Sequence, residues 1–134
     1  MSEGNVEVVR RSFEHWRAGR IAEWIDTLDP DLDWDISAHP LPDFPNRGRG
    51  REALVEHIAA YAAGWNDYEA HAGELIDGGN EVVLIMHERA RVRESDTVLD
   101  RDLPTVWTVR DGRSVRFRVF KTRDQALRAV GLAR

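Results

Sequence analysis

Cysteine is absent from the 134-residue sequence, and lysine occurs once, at Lys121. The absence of cysteine excludes a disulfide scaffold, a thiolate nucleophile, and zinc or iron–sulfur sites held by cysteine. The 19 basic and 24 acidic residues leave a net charge of −5. Because neutralising phosphate needs a net basic surface, we expect no nucleic-acid partner.

Long hydrophobic runs are also missing. The run at residues 82–86, like every other in the sequence, is far shorter than the roughly 20 apolar residues of a membrane span. The N-terminus carries acidic and polar residues where a secretory signal needs an apolar stretch. We therefore expect a cytoplasmic protein with no membrane partner. The length predicts one domain over residues 1–134, because domains commonly have roughly 100–200 residues.

The spacing of apolar residues predicts the order α-α-β-α-β-β-β-β-α. Helical spacing predicts a helix through Trp16 and further helices over residues 21–28, 51–64 and 123–130. Alternation predicts strands over residues 32–36, 68–77, 81–93, 98–110 and 113–121. Residues 39–50 hold three prolines and two glycines and are predicted to form a loop.

Two local signals refine this prediction. Pro104 suggests an edge strand or a bulge. Thr122 with Gln125 predicts a capping box for the last helix, which Gly131 and Leu132 would end in a Schellman motif. Helices followed by an antiparallel meander are typical of an α+β fold. A strongly curved sheet with three helices on one face would enclose a conical pocket.

Several segments resemble the SnoaL-like branch of the NTF2-like superfamily. They are the turn at residues 18–20, the Asp-Leu-Asp-Trp strand at 31–34, Gly-Arg-Glu-Ala at 50–53, and the ending at 106–112, 115–120, 126–127 and 131–132. The resemblance spans nearly the whole chain. It implies a conical α+β barrel in which a mainly antiparallel sheet wraps around helices and a central pocket, and it implies a homodimer. Because this superfamily holds both enzymes and binding modules, the resemblance leaves the function open.

The resemblance also implies positions for catalytic groups. The ketosteroid isomerase base matches Asp35, and the acid/base aspartate of polyketide cyclases falls at Thr105. The central arginine of limonene-type epoxide hydrolases matches Arg89, while their two aspartates fall at Arg91 and Thr122. The cyclase and hydrolase patterns are therefore incomplete, and Asp35 is the candidate base. Alternatively, Asp31, Asp33 and Asp35 form the solvated face of a half-exposed strand.

Arginines and one histidine share a face of the strand over residues 81–93. Arg89, Arg91 and Arg93 lie at period two, about 6–7 Å apart, and on a cup wall they would hold a carboxylate or oxyanion. Arg118 and Phe120 lie on a strand that would neighbour it. Alternatively, these arginines lie on the convex face and pair with acidic residues. His87 shares their face, and neighbouring arginines would lower its pKa and keep it available as a base.

Other candidates come from the helices and the aromatic residues. His57 lies beside the apolar stripe of the third helix, and His39 lies in the loop where a pocket mouth would be. Trp65 and Trp107 are candidate pocket walls, Tyr61 offers a phenol, and Trp34 lies on the apolar face of its strand. Core packing alone would explain these aromatic residues equally well.

These observations define two sets of candidate residues. The candidate catalytic residues are Asp35, His87 and Arg89. The candidate ligand-binding residues are Trp34, His39, His57, Tyr61, Trp65, Arg91, Thr105, Trp107, Arg118 and Phe120. We expect no metal, since no two histidines stand at helical i, i+4 spacing with a carboxylate, and we expect no cofactor.

Two functions remain open at this point. One is a cofactor-free acid/base enzyme of the isomerase, cyclase or lyase type, acting on a small apolar cyclic substrate. The other is a non-catalytic ligand-binding or dimerisation module. Both imply a small-molecule partner or a second copy of the chain.

Overall fold

The computed structural model describes residues 2–39 and 45–132, and within them four helices and six strands. The helices are α1 (Ser2–Arg17), α2 (Ile21–Asp26), α3 (Arg51–Ala63) and α4 (Arg123–Ala129). The strands are β1 (Leu28–Asp35), β2 (Arg47–Arg49), β3 (Trp65–Gly78), β4 (Glu81–Val92), β5 (Val98–Arg110) and β6 (Arg113–Val119). The α+β fold class is confirmed. The predicted order lacked β2, which lies inside the segment expected to be a loop.

The six strands form a mixed sheet in the order β2-β1-β6-β5-β4-β3. All neighbours are antiparallel except β1 and β6, which run parallel with Trp34 opposite Phe117. Strand β1 begins at Leu28, earlier than predicted. Its register against β6 shifts between Leu28 and Asp33, and this irregularity absorbs Pro30.

Pro104 does not lie on an edge strand, because β5 pairs with β4 on one side and with β6 on the other. The backbone nitrogen and carbonyl of a strand residue point to the same side of the strand. The Pro104 carbonyl accepts a hydrogen bond from the Phe120 amide at 2.9 Å, just beyond the end of β6. The proline ring therefore replaces a donor on the β6 side and removes no hydrogen bond to β4.

The two faces of the sheet pack against different helices. Helices α1, α2 and α3 cover the inner face, and the main core lies between them and residues such as Leu84, Trp107 and Phe117. Helix α4 covers part of the outer face, where Leu127 packs with Val83 and Val106. Because successive side chains of a strand point to opposite faces, each strand contributes residues to one core or the other in alternation.

The ends of α4 have the predicted geometry. The Thr122 hydroxyl accepts a hydrogen bond from the Gln125 amide at 3.1 Å. Gly131 adopts a φ of +76°, and the Leu132 amide donates to the Leu127 carbonyl at 2.8 Å, which closes a Schellman motif. In the described part of the chain, no helix combines the length and apolar character needed to cross a membrane.

Candidate functional site

A cavity of about 90 Å³ lies between the inner face of the sheet and helices α1, α2 and α3. Its apolar walls come from Val9, Phe13, Trp16, Trp24, Ile36, Ile58, Leu84, Met86, Leu103, Trp107, Phe117 and Val119. Its polar lining comes from Ser12, His39, His57, Tyr61, Tyr68, Glu88 and Arg101. A mostly apolar lining with a few convergent polar groups is typical of a small-molecule site, and a volume below the usual range of about 300–1,000 Å³ restricts the ligand to a small one.

The carboxylate of Glu88 is the centre of the polar lining. Glu88 lies on the inner face of β4 and is 0% exposed. Its Oε1 accepts hydrogen bonds from Tyr61 Oη at 2.8 Å and from Arg101 Nε at 2.7 Å, and its Oε2 accepts from Tyr68 Oη at 2.6 Å. A carboxylate buried this deeply is stable only with such partners.

Arg101 joins Glu88 to the mouth of the cavity. Strand pairing places Arg101 directly opposite Glu88, because β4 and β5 are antiparallel in that register. Besides its bond to Glu88, Arg101 donates from Nη2 to Tyr61 Oη at 2.9 Å and from Nη1 to His39 Nδ1 at 3.3 Å. Because Nδ1 of His39 accepts this bond, the proton of the neutral ring lies on Nε2. We call Glu88, Arg101, Tyr61 and Tyr68 the Glu88 cluster.

The ionisation states in the cavity follow from burial. Burial, reinforced by the neighbouring Glu88 carboxylate, raises the pKa of Tyr61 and of Tyr68 above the ordinary phenol value. Burial lowers the pKa of His57, and burial together with the Arg101 charge lowers the pKa of His39. Both phenols and both imidazoles are therefore neutral near pH 7, and the imidazoles are able to accept a proton.

Ser12 supplies an acceptor on the helical side of the cavity. Its hydroxyl lies 2.6 Å from Thr27 Oγ1, and Thr27 Oγ1 donates its single proton to the Trp24 carbonyl at 2.6 Å. The Ser12 hydroxyl must therefore be the donor to Thr27. The lone pairs of Ser12 that remain are available as acceptors in the cavity lining.

The structure brings together four of the predicted ligand-binding residues: His39, His57, Tyr61 and Trp107 all line the cavity. Trp107 stacks on Phe117 with ring centroids 4.1 Å apart, and together they form a flat wall. The polar positions on this wall are few, so a ring-shaped ligand would contact it mainly through dispersion.

Trp34 and Trp65 lie one layer behind the lining rather than in it. Trp34 is buried, donates from Nε1 to the Gly50 carbonyl at 3.2 Å and packs edge-on against His57 at 5.6 Å. Trp65 packs edge-on against Tyr61 at 5.7 Å. The prediction that these two tryptophans line the pocket is therefore corrected. Each packs against a residue that does line it.

Asp35 lies outside the cavity, which corrects its expected place as the base. Its carboxylate accepts hydrogen bonds from the Ser37 amide at 2.9 Å and hydroxyl at 2.6 Å, and it pairs with Arg47 at 3.3 Å. Burial raises the pKa of Asp35, but the Ser37 bonds and the Arg47 charge outweigh it and leave the pKa below its ordinary value. Side chains alternate between the two faces along β1, and Trp34 and Ile36 point inward. Asp35, which lies between them, therefore points outward.

The predicted arginine and histidine stripe lies on the outer face of β4. Arg89 and Arg91 are exposed there, and Arg91 pairs with Asp67 at 4.0 Å. The alternative placement on the convex face is therefore the correct one, because alternation along β4 turns Glu88 and Ala90 inward and the arginines beside them outward.

His87 also faces outward, and its side chain is 42% exposed. Its Nδ1 lies 2.9 Å from Asp102 Oδ1 and its Nε2 lies 2.6 Å from Asp100 Oδ1. The hydrogen bond to Asp102, aided by Asp100, raises the pKa of His87. The prediction that neighbouring arginines lower the pKa of His87 is wrong, because the carboxylates of Asp100 and Asp102 on β5 lie closer to the ring.

Thr105, Arg118 and Phe120 do not contribute to the lining either. Thr105 is fully buried, donates to the Leu84 carbonyl at 2.8 Å and accepts from Trp107 Nε1 at 3.0 Å, so it orients the tryptophan wall. Arg118 pairs with Glu81 at 2.7 Å and lies over the Phe120 ring. Phe120 packs against the outer core beneath α4.

Sequence reasoning missed Glu88, Arg101 and Tyr68. A signal for Glu88 is present, because a lone carboxylate interrupts an otherwise apolar face between Met86 and Ala90. A charged residue in a buried position requires partners, and such a position is a candidate site. Nothing in the sequence around Arg101 marks it in the same way, because the register between β4 and β5 determines that it lies opposite Glu88.

A metal centre has no support in the geometry. Across residues 2–39 and 45–132, no three His, Asp or Glu side chains are placed to hold a metal ion together. The cavity lining offers one carboxylate, and its oxygens already accept three hydrogen bonds.

Comparison with known proteins identifies the fold. An NTF2-like protein of unknown function from Burkholderia pseudomallei K96243 superposes with a TM-score of 0.74 at 19% identity, covering 98% of this chain and 99% of that chain. A protein named as a SnoaL-like polyketide cyclase, from Jannaschia sp. CCS1, gives a TM-score of 0.72 at 22% identity over 100% and 95% of the two chains. A hypothetical protein with a ketosteroid isomerase-like fold from Catenulispora acidiphila DSM 44928, solved with trimethylamine, gives 0.71 at 14% identity over 94% and 93%. The chain thus has the NTF2-like, ketosteroid isomerase-like fold.

The family follows from the sequence model rather than from these distant structures. The model of the SnoaL-like domain matches residues 9–117, which include α2, α3 and most of the sheet. The protein belongs to the SnoaL-like domain family. No curated protein sequence matches the chain.

Proposed function

We propose that the chain binds a small, mainly apolar ring compound in the cavity and moves a proton on it without a cofactor. The observation that carries the proposal is a cavity with aromatic walls, a buried Glu88–Arg101 pair and neutral histidines in one lining. The ligand's ring would contact Trp107 and Phe117, and its polar group would lie toward the Glu88 cluster. The likeness to a structure named as a polyketide cyclase supports this reaction class.

His57 is the proposed proton acceptor. It lines the cavity, is 3% exposed and has a pKa below the ordinary value because of burial. Glu88 is less suited to this role, because its two oxygens already accept three hydrogen bonds from neighbouring side chains. Arg101 would stabilise negative charge that develops on a ligand oxygen.

The test combines binding with proton exchange. Acetophenone in D₂O is titrated by calorimetry, and exchange at its methyl carbon is followed by NMR. We expect saturable binding and enzyme-dependent exchange, with exchange falling by at least about 100-fold in His57→Asn, the scale of a general base. His87→Asn is the matched control, because His87 lies on the outer face, and it retains both activities.

The outcomes separate the two candidate functions. Binding without exchange above the buffer rate would contradict the enzyme and favour a non-catalytic binding module. The three hydrogen bonds that Glu88 already accepts from neighbouring side chains are the observation that favours this second function. Met86→Trp fills the cavity and is the reference for absence of binding. If the unmodified protein binds acetophenone no better than this variant does, both candidate functions are contradicted.

We also propose that the chain forms a homodimer through the outer face of the sheet and acts in the cytoplasm. Charges of both signs alternate across this face, where Glu69, Arg89 and Asp100 lie side by side on β3, β4 and β5. Such a row is able to pair with its own copy across a two-fold axis, since opposite charges then meet.

A further inference from the structure

The charges in the lining decide which ring compounds the cavity accepts. Glu88 and Arg101 carry opposite charges 2.7 Å apart and compensate each other. The other titratable side chains of the described lining are His39, His57, Tyr61 and Tyr68. Burial keeps these four neutral near pH 7. The described lining therefore carries no uncompensated charge.

Arg101 nevertheless retains donors. A guanidinium has five N–H groups. Among residues 2–39 and 45–132, the Arg101 hydrogen bonds engage three of them, with Glu88, Tyr61 and His39 as acceptors. Within these residues, one N–H on Nη1 and one on Nη2 have no acceptor, and the Arg101 side chain, 31% exposed, lines the cavity. These two N–H groups are donors for an oxygen of a bound molecule.

We propose that Arg101 is a specificity-determining residue that selects uncharged ring compounds bearing an acceptor oxygen, such as cyclic or aryl ketones. This inference rests on the proposed function, because it assumes that the cavity binds a small ring compound. The ketone oxygen accepts from the Nη groups of Arg101, while the ring lies against Trp107 and Phe117.

The same arrangement disfavours charged ligands. An anion would compete with Glu88 for Arg101 and lie near a buried carboxylate, and a cation would lie near the Arg101 guanidinium. Either ion would also lose its hydration among the apolar walls without gaining a counter-ion of its own. A hydrocarbon avoids this cost but leaves the two N–H groups without an acceptor.

Four compounds of similar size test this selection by calorimetry at pH 7. They are ethylbenzene, acetophenone, 1-phenylethylamine as a cation and 2-phenylpropionate as an anion. We expect acetophenone to bind about tenfold more tightly than ethylbenzene, the scale of a hydrogen bond from a charged donor. We expect both ions to bind at least about tenfold more weakly than acetophenone.

Two variants assign the selection to Arg101. Glu88→Gln/Arg101→Met removes both charges and so leaves no unpaired ion buried. Arg101→Lys keeps the ion pair and removes the Nη groups. In both we expect the preference for acetophenone over ethylbenzene to fall below about threefold. Arg110→Met, at the exposed last residue of β5 and outside the cavity lining, is the control and keeps the preference. Circular dichroism confirms folding of each variant.

Three results would overturn the inference about Arg101 and still leave ring binding, and therefore the proposed function, in place. They are equal affinity for acetophenone and ethylbenzene, tightest binding by an ion, and persistence of the ketone preference in both folded variants. If none of the four compounds binds the folded protein, the proposed function fails and the inference fails with it.

Discussion

At the scale of the residue, Glu88 shows how a single buried charge organises a pocket. Its carboxylate is 0% exposed, and its two oxygens accept hydrogen bonds from side chains on three other elements of the fold. Tyr61 comes from α3, Tyr68 from β3 and Arg101 from β5. The cluster therefore links the helical layer to the sheet at one point, and its loss should affect the whole fold.

Replacing Glu88 by alanine tests this role. Glu88→Ala leaves a half-buried guanidinium without its counter-ion and two phenols without their acceptor, and we expect the free energy of unfolding to fall by about 2–4 kcal/mol. Glu74→Ala is the matched control. Glu74 makes a two-point contact with Arg123 at 2.9 and 3.0 Å on the exposed surface, and such pairs are worth about 0–1 kcal/mol. Urea unfolding of both variants gives the comparison, and equal losses would contradict the role of Glu88.

At the scale of the element, β3 follows the curve of the sheet through an irregularity near its middle. The register against β4 shifts between Ala72 and Leu75, and Gly73 lies within this shift. A Cβ atom built on Gly73 would lie 2.7 Å from the backbone carbonyl oxygen of Ile85. Backbone cannot move aside as a flexible side chain does, so the close approach of β3 and β4 requires glycine here.

Gly73→Ala is therefore expected to destabilise the protein by about 1–3 kcal/mol, the scale of overpacking against a rigid neighbour. Gly4→Ala is the control, because a Cβ on Gly4 meets no atom within 4 Å of it and alanine has the higher helix propensity in α1. We expect Gly4→Ala to leave the melting temperature unchanged or to raise it. A thermal melt in which the two alanine variants coincide would remove the packing argument.

At the scale of the whole molecule, the net charge of −5 is an average over different surfaces. The inner face of the sheet carries the compensated pair of Glu88 and Arg101, whereas Arg89, Asp100 and Asp102 lie on the outer face with His87. Since Lys121 is the single lysine, 18 of the 19 basic residues are arginines. Arg101 is the arginine that lines the described cavity, so the arginines serve mainly the exterior.

The proposed homodimer is tested at this scale by light scattering. We expect a mass of twice the chain, and we expect Arg89→Glu to shift the mass toward the monomer because like charges would then meet across the outer face. Arg110→Glu, an exposed change at the turn after β5, leaves the dimer intact. Added salt should weaken a contact of this kind. A monomer mass for the unmodified protein would contradict the proposal.

Particular elements show how far sequence reasoning reached. The bounds of β5 and the caps of α4 follow from local patterns, so they were predictable. Short β2 was missed, since three residues with two arginines carry no periodic signal. Of the candidate site residues, His39, His57, Tyr61 and Trp107 line the cavity, whereas Asp35 and His87 lie outside it. For Arg89 the sequence left two faces open, and the side chain lies on the outer one.

The sequence by itself determined the α+β class, the order of most elements, and the two alternating faces of β4, because these depend on local periodicity and turn chemistry. Only the tertiary structure decided which of the two faces lines the cavity. That choice depends on register and on partners distant in the chain: Arg101 lies opposite Glu88, and Tyr61 and Tyr68 reach the same carboxylate. A buried charge is stable only where such partners converge, and convergence is a property of the folded chain.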